Sequence, residues 1–271
     1  MSTPLMQTDW PISASLAIDA LGPDLRAALL VARDAGFAGI AVANGHPELA
    51  GLDFGRTARR HLRHLLQRQH LRLACIRAVS ARGGLFDGKT LDRVMASTVG
   101  AIRLAHDLGA FAVSLYAGSP ESSPGSALAL SEPVVAAVQA LAGEADQAGL
   151  KLCLSSSSVD FLLALLGRLG AVHLRANMDT LRLPLDGPTL LQAADRLGNW
   201  VGMWTLADSL QTGKSFRPTE LGRGYLPVAE ILARTEGRNW NGTLLVDVRD
   251  LPDPQQGART AAQVLRAAWP E

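Results

Sequence analysis

Short apolar runs alternate with longer amphipathic stretches along the whole of this 271-residue chain. Strands that alternate with helices pair in parallel through right-handed crossovers. Eight such units in about 250 residues match the size of a closed barrel of eight strands and eight helices. The runs with the length and composition of buried strands are SASLAI (13–18), GIAVA (39–43), LACIRA (73–78), FAVSLY (111–116), KLCLSS (151–156), AVHLRANMD (171–179), WVGMWTLAD (200–208) and GTLLVDV (242–248).

Helices are predicted between these runs, because apolar residues recur there every three or four positions. Examples are PDLRAALLVARDAG (23–36), GRTARRHLRHLLQRQH (55–70), LDRVMASTVGAIRLAHDLG (91–109) and QQGARTAAQVLRAAW (255–269). An open doubly wound sheet is the main alternative, but no G-x-G-x-x-G motif follows an early strand. We therefore expect an α/β fold in which residues 1–271 form a single (β/α)8 TIM barrel domain. Helix ends are expected at the glycines that precede a strand, namely Gly36, Gly109, Gly149 and Gly170.

Composition narrows the classes of function. The formal net charge is +1, which gives no electrostatic basis for binding nucleic acid or an anionic membrane. No basic segment precedes an apolar stretch near Met1, and no apolar run approaches roughly 18 residues, so we expect neither a secretory signal nor a membrane span. Cys75 and Cys153 fall within predicted strands, which favours reduced core thiols in a cytoplasmic protein over a disulfide.

In a barrel of this type the active site lies at the carboxyl ends of the strands. Side chains alternate along a strand, so Asn177 and Asp179 are expected on one face, and Leu245 and Asp247 on one face. The polar or aromatic residues at the predicted strand ends are Asn44, Ser80, Tyr116, Ser155, Ser156, Asn177, Asp179, Trp204, Thr205, Asp208, Asp247, Arg249 and Asp250.

Several segments together resemble a known family, in their order and spacing and over nearly the whole chain. They are GFAGIAV, LDRVMASTVGAIRLAHDLGA, AGLKLCLS, NMDT, MWTLADS and ELGRGYLPVAEILARTEGRNWNGTLLVDV. The chain is similar in these segments to the xylose isomerase-like TIM barrel superfamily. That superfamily includes sugar isomerases and epimerases, inosose dehydratases and endonuclease IV.

The resemblance implies a divalent cation held by a Glu, an Asp, a His and a second Glu at the ends of the later strands. Matched to this sequence, Ser155 stands at the first Glu position and Asp179 at the Asp. Arg182 and Thr205 stand where the family often has His, and Asp247 stands at the last Glu. Hydroxyls are poor substitutes for the charge that Mg²⁺ or Mn²⁺ requires.

The histidine count leads to the same expectation, because none of the six histidines follows His173. The later strands therefore offer no histidine ligand, and only two carboxylates of the implied set remain. We expect no cofactor, while Mg²⁺ or Mn²⁺ held weakly by Asp179 and Asp247 stays open as an alternative.

Two hypotheses of function follow. In the first, the chain is a divergent sugar isomerase- or epimerase-like barrel with an eroded metal site. It binds a small sugar or polyol with weak or no metal-dependent catalysis, or serves as a partner subunit. In the second, it is an active isomerase, epimerase or lyase on a small carbohydrate. Endonuclease activity is disfavoured because it needs more metal ligands and a basic groove.

The candidate catalytic residues are Asp179 and Asp247, as an acid/base pair or, in the alternative, as metal ligands. A small-molecule ligand is the expected partner, and a homo-oligomer stays open. The candidate substrate-binding residues are Ser155, Asn177, Trp204, Thr205, Arg217 and Tyr116.

Three further features have a structural and a functional interpretation. The serines of 156–158 are expected to cap the following helix, because no motif of a serine nucleophile accompanies them. Gly222 and Gly224 could cradle a phosphate, although a tight turn explains them equally well. His61 and His64 could form a metal pair, but the arginines around them favour a solvated helix face.

Overall fold

Eight parallel strands form a closed barrel in the computed structural model, which describes residues 14–50, 55–80, 83–120, 130–183, 187–212, 215–236 and 240–269. Each strand pairs with the next along the chain, and the last closes on the first, so the predicted (β/α)8 TIM barrel is confirmed. The barrel strands are β1 (Ala14–Ala17), β2 (Gly39–Ala43), β3 (Arg72–Arg77), β4 (Ala112–Gly118), β5 (Lys151–Ser156), β6 (Leu174–Asp179), β7 (Val201–Leu206) and β10 (Thr243–Asp247).

The helices lie between the strands. They are α1 (Leu25–Ala35), α2 (Pro47–Ala50), α3 (Arg56–Arg68), α4 (Leu91–Leu108), α5 (Glu132–Ala148), α6 (Val159–Leu169), α7 (Gly187–Leu197), α8 (Val228–Glu236) and α9 (Pro254–Ala268). None of those in the described ranges is long and apolar enough to cross a bilayer. The four predicted terminal glycines all have positive φ, from +57° at Gly170 to +91° at Gly36, and so end α1, α4, α5 and α6 as expected.

The serine run after β5 caps a helix, as predicted. The Ser158 hydroxyl accepts a hydrogen bond from Phe161 N at 3.2 Å and so satisfies one free amide at the start of α6. Asp160 lies in the first turn, where its charge complements the helix dipole.

Most strand ends lie within one or two residues of the prediction, and two of the predicted runs differ more clearly. The run 200–208 holds two elements, because β7 ends at Leu206 and Asp208 begins an antiparallel hairpin of β8 (Asp208–Thr212) and β9 (Ser215–Thr219). The run 171–179 becomes a strand only at Leu174, since the chain is still turning after the end of α6. Ser13, at the start of the first predicted strand, lies outside the described residues.

The barrel interior contains a layer of mostly small side chains. Such interiors are usually filled by bulky branched residues. Cys75 and Cys153 are free thiols, as predicted, and burial raises their pKa to about 11 and about 12, so both stay protonated at neutral pH. We call this layer the floor; its residues are Ala17, Ala41, Cys75, Ala112, Cys153, Met203 and Leu245.

Candidate functional site

A cavity of about 230 Å³ opens at the carboxyl ends of the barrel strands, where the fold predicts a site. The residues of its wall can be derived from the residues of the floor. A residue two positions beyond a floor residue points to the same side of its strand, one layer higher. The wall residues placed in this way are Asp19, Ala43, Arg77, Ser114, Ser155 and Thr205.

One side of the cavity, formed by the ends of β1, β3 and β10, is a network of ion pairs. Arg77 donates to Asp19 at 2.9 Å and lies 3.3 Å from Oδ2 of Asp247. Arg249 reaches the same oxygen with Nε at 2.8 Å and also with its Nη2. Asp19 accepts a further hydrogen bond from Ala43 N at 2.6 Å. We call these four residues, Asp19, Arg77, Asp247 and Arg249, the ion-pair side.

Asp247 is held as an anion beneath the two guanidinium groups. Its side chain is 1% exposed and does not line the cavity, whereas Arg77 and Arg249 do. Burial alone would raise the pKa of Asp247, but the charges of Arg77 and Arg249 outweigh burial and bring it below the usual value. Arg249 N donates to the other carboxylate oxygen at 3.1 Å. In this arrangement Asp247 is an anchor for two cations, not an open base on the cavity wall.

The opposite side, formed by β5, β6 and β7, carries neutral groups and one carboxyl. We call Ser155, Asn177, Asp179 and Thr205 the neutral side. All four are buried and line the cavity. Thr205 donates to Oδ1 of Asn177 at 3.0 Å, and Asp179 lies opposite Thr205 in the β6–β7 register. The structure thus brings together four of the residues predicted for the site.

Asp179 differs from Asp247 in its partners. Its Oδ1 accepts a hydrogen bond from Leu181 N at 3.1 Å, and among the described residues no arginine lies within salt-bridge distance. Burial raises the pKa of Asp179, and the nearby negative charge of Asp247 raises it further. The two carboxyls therefore have pKa values shifted in opposite directions.

An aromatic side chain and an arginine lie at the rim of the cavity. The Arg182 guanidinium lies over the Tyr116 ring, 4.5 Å from its centroid, and both residues line the cavity. The Tyr116 hydroxyl is hydrogen-bonded to Ser119 at 3.0 Å, and Ser119 is bonded in turn to Ser157. This chain of contacts fixes the orientation of the ring on which Arg182 rests.

Two predicted substrate-binding residues lie elsewhere. Trp204 is 2% exposed and belongs to the hydrophobic core outside the barrel, because it is one residue away from the inward-facing Met203 and Thr205. Arg217 is exposed on β9 and does not line the cavity. Trp204 points away from the cavity because successive side chains of β7 alternate between its two faces.

The glycines before α8 form a turn around a buried carboxylate. Asp208 accepts hydrogen bonds from the backbone N–H groups of Gly222 and Gly224, both at 2.9 Å, and of Leu226 at 3.1 Å. A Cβ on Gly224 would overlap the Asp208 carboxylate. These amides are therefore occupied by the protein itself, which favours the tight turn over the phosphate cradle.

The surroundings of His61 favour a solvated helix face over a metal-binding pair with His64. His61 lies on the exposed face of α3, where its Nε2 is 3.0 Å from Nη2 of Arg26. Within the described ranges, no group of three or more His, Cys, Asp or Glu side chains is arranged to hold a metal ion.

Two residues of the ion-pair side, Asp19 and Arg77, were missed by the sequence analysis. Both positions carry a signal. Arg77 is two residues after the inward-facing Cys75, and Asp19 is two residues after the inward-facing Ala17. A charged residue at such a position, directly at a strand end, points into the site.

A family model described as the xylose isomerase-like TIM barrel matches residues 29–268. The chain belongs to this family. No curated protein matches the sequence.

Solved structures with the same fold span almost the whole barrel. A xylose isomerase domain protein from Planctomyces limnophilus has a TM-score of 0.77 at 22% identity, covering 95% of each chain. The D-allulose 3-epimerase from Methylomonas sp. has a TM-score of 0.73 at 18% identity, covering 95% of this chain and 98% of its own. A Mycobacterium smegmatis barrel of this type, solved in complex with magnesium, has a TM-score of 0.69 at 18% identity, covering 97% and 98%. At these identities the likeness establishes the fold alone.

Proposed function

We propose that this family member binds a small sugar- or polyol-like ligand in its C-terminal cavity, with arginine side chains in place of a divalent cation. One observation carries the proposal. Asp247, at the position of the family's last metal-binding Glu, is already paired with Arg77 and Arg249. Two guanidinium groups thus supply at this carboxylate the positive charge that a metal ion would bring.

The other positions of the implied metal set also argue against a bound divalent cation. Ser155 and Thr205 are neutral, and the Thr205 hydroxyl is engaged with Asn177. Of the two carboxyls of the implied metal set, Asp179 is the one that has no cation within salt-bridge distance among the described residues. Hard divalent cations need several charged oxygen ligands. The residues present do not fit such an ion, and we derive no step through one.

The neutral side suits a hydroxylated ligand. Ser114, Ser155, Asn177 and Thr205 offer hydroxyl and amide groups on one wall, and Tyr116 adds an aromatic face at the rim. Convergent polar groups beside an aromatic surface are typical of small-molecule sites. The cavity of about 230 Å³ lies below the roughly 300–1,000 Å³ of drug-sized pockets, so the ligand is small. The sugar epimerases among the structural neighbours support a carbohydrate.

Calorimetry with D-fructose and myo-inositol in the presence of EDTA tests this function. Binding should persist with the chelator, should not tighten when Mg²⁺ is added, and should be lost in Ser155→Leu, which fills the cavity. Ser131→Leu, at an exposed serine before α5, is the matched control and should bind as the wild type does. Binding that requires Mg²⁺, or that survives Ser155→Leu in a folded protein, would contradict the proposal.

A second candidate function is isomerase or epimerase activity with Asp179 as the base. The free carboxyl of Asp179 on the cavity wall favours it, and its raised pKa makes the carboxylate a stronger base. Asp179 would take a proton from the carbon beside a substrate carbonyl and return it, while the nearby guanidinium groups stabilise the oxyanion. Exchange of that carbon-bound proton of D-fructose for deuterium in D₂O, followed by NMR, should then be lost in Asp179→Asn. Wild-type protein that binds D-fructose without exchange excludes this candidate for that sugar.

A further inference from the structure

Arg182 differs from the other arginines of the cavity in its contacts: its charge acts on Asp179 only at a distance, where it partly offsets the raised pKa of that carboxyl. Arg77 and Arg249 are bound to Asp19 and Asp247, whereas the Arg182 side chain makes neither a hydrogen bond nor a salt bridge to any residue of the described ranges. The backbone of Arg182 does make a hydrogen bond, from its N–H to Asp179 O at 3.0 Å. The guanidinium edge is therefore available to a ligand.

The guanidinium is also held in position before any ligand arrives. It stacks on Tyr116 at 4.5 Å, and Tyr116 is fixed by its hydrogen bond to Ser119. A flexible arginine loses side-chain entropy when it binds a ligand, and an arginine ordered in advance loses less. An exposed, ordered and unpaired guanidinium at the rim of a cavity is suited to binding an anion.

The surroundings favour a carboxylate over a phosphate. The glycine turn that could cradle a phosphate is closed, because Asp208 occupies the N–H groups of Gly222 and Gly224. The first turn of α6 is capped by Ser158. Among the described residues at the rim of the cavity, Arg182 is thus the group that remains able to bind an anion.

Charge gives a second reason. The charges of Asp19 and Asp247 are balanced by Arg77 and Arg249, which leaves one guanidinium, that of Arg182, to offset the charge of a ligand, so a monoanion is matched and a phosphate dianion is not. A planar guanidinium pairs with a planar carboxylate through two parallel hydrogen bonds. One free guanidinium therefore matches one carboxylate.

We propose that Arg182 binds the carboxylate of a sugar acid, so that the ligand of this cavity is a hydroxylated monocarboxylate. This inference rests on the proposed function, since the neutral side would hold the hydroxyl groups of the same molecule. Arg182 is then the residue that selects sugar acids over neutral sugars, and Tyr116 positions it.

Calorimetry in EDTA tests the inference with three classes of probe. They are aldonates of increasing chain length up to D-gluconate, D-fructose as the neutral sugar, and D-fructose 6-phosphate. At least one aldonate should bind at least about tenfold more tightly than D-fructose, the effect expected of one charged hydrogen-bonded pair. Arg182→Gln should lose this preference, because it should weaken aldonate binding at least about tenfold more than it weakens D-fructose binding, and Arg182→Lys should keep part of the preference. The matched control is Arg259→Gln, on the exposed face of α9.

The outcomes separate this inference from the proposed function. If D-fructose binds and no aldonate binds better, Arg182 does not select an anion, and the proposed function stands. Tighter binding of D-fructose 6-phosphate than of every aldonate would overturn the choice of a carboxylate. If aldonates bind equally well to Arg182→Gln, another group recognises them and the inference is wrong. If neither D-fructose nor any aldonate binds, both proposals fall.

Discussion

The two sides of the C-terminal cavity occupy equivalent places in the barrel and have different electrostatics. On the ion-pair side, Asp247 is buried beneath Arg77 and Arg249, and its pKa is lowered. On the neutral side, Asp179 has hydroxyl and amide neighbours, and its pKa is raised. The aspartates at the ends of β6 and β10, which are separated by β7 in the barrel, therefore differ in their partners: Asp247 is bound to two arginines, and Asp179 has no arginine within salt-bridge distance among the described residues.

The largest expected effect comes from restoring charge to the neutral side. Ser155→Glu with Thr205→His should raise Mn²⁺ affinity from undetectable to a Kd on the order of 10 μM, about 7 kcal/mol of binding free energy. Adding Arg249→Gln should tighten binding further, because it frees Asp247 from one of its cations. Calorimetry measures both steps. Equal Mn²⁺ affinity in the wild type and the double variant would show that residues 155 and 205 do not stand at metal-binding positions.

The next largest effect is on stability, at the ion-pair side. Asp247→Asn leaves Arg77 without one of its two carboxylates and removes the anion under Arg249, so the free energy of unfolding should fall by about 3 kcal/mol. Urea unfolding measures the change. Asp250→Asn, at the exposed neighbouring carboxyl, should alter stability by less than about 0.5 kcal/mol. Similar small effects of both substitutions would mean that the ion pairs do not stabilise the fold.

The pH dependence of stability should follow from the lowered pKa of Asp247. A carboxyl whose pKa is lower in the folded state stabilises the fold above its unfolded-state pKa, and this contribution is lost as the pH falls through the folded-state pKa. Urea midpoints measured from neutral to acid pH should therefore decline less steeply in Asp247→Asn than in the wild type. Parallel profiles would contradict the assignment of Asp247 as a tightly held anion.

The smallest effect, and one of opposite sign, is expected at Asp179. A carboxyl whose pKa is raised in the folded state opposes folding above its unfolded-state pKa, since the buried charged form is disfavoured. Asp179→Asn keeps an oxygen acceptor for Leu181 N and removes the charge, so stability at neutral pH should rise by about 1 kcal/mol. The gain should vanish below the ordinary carboxyl pKa. A loss of stability at neutral pH would show that Asp179 has a counter-charge.

The sequence predicted the barrel and most of the neutral side, because both depend on local patterns. Alternation along β6 placed Asn177 and Asp179 on one face, and helix-ending glycines marked the unit boundaries. Asp247 and Arg249 of the ion-pair side were predicted at a strand end, but their association with Arg77 and Asp19 was not, since it joins residues from β1, β3 and β10 that meet only when the barrel closes. The position of Trp204 has a local cause: a shift of one residue moves a side chain from the cavity to the outer core.

The sequence left the role of Asp247 open for a related reason. From the sequence, a carboxyl at a strand end is equally consistent with a base, a metal ligand or an ion-pair partner. Only the positions of Arg77 and Arg249 distinguish these roles. Arg182 was read as a missing histidine, and its stacking on Tyr116 could not be foreseen from residues on different strands.

The central claim, that guanidinium groups take the place of a divalent cation at Asp247, is tested most directly by crystals grown with excess Mn²⁺. Anomalous scattering locates manganese independently of the rest of the density. The account predicts no manganese peak between Asp179 and Asp247, with Arg77 and Arg249 still bound to Asp247. A fully occupied manganese ion coordinated by both aspartates, with Arg249 displaced, would contradict it.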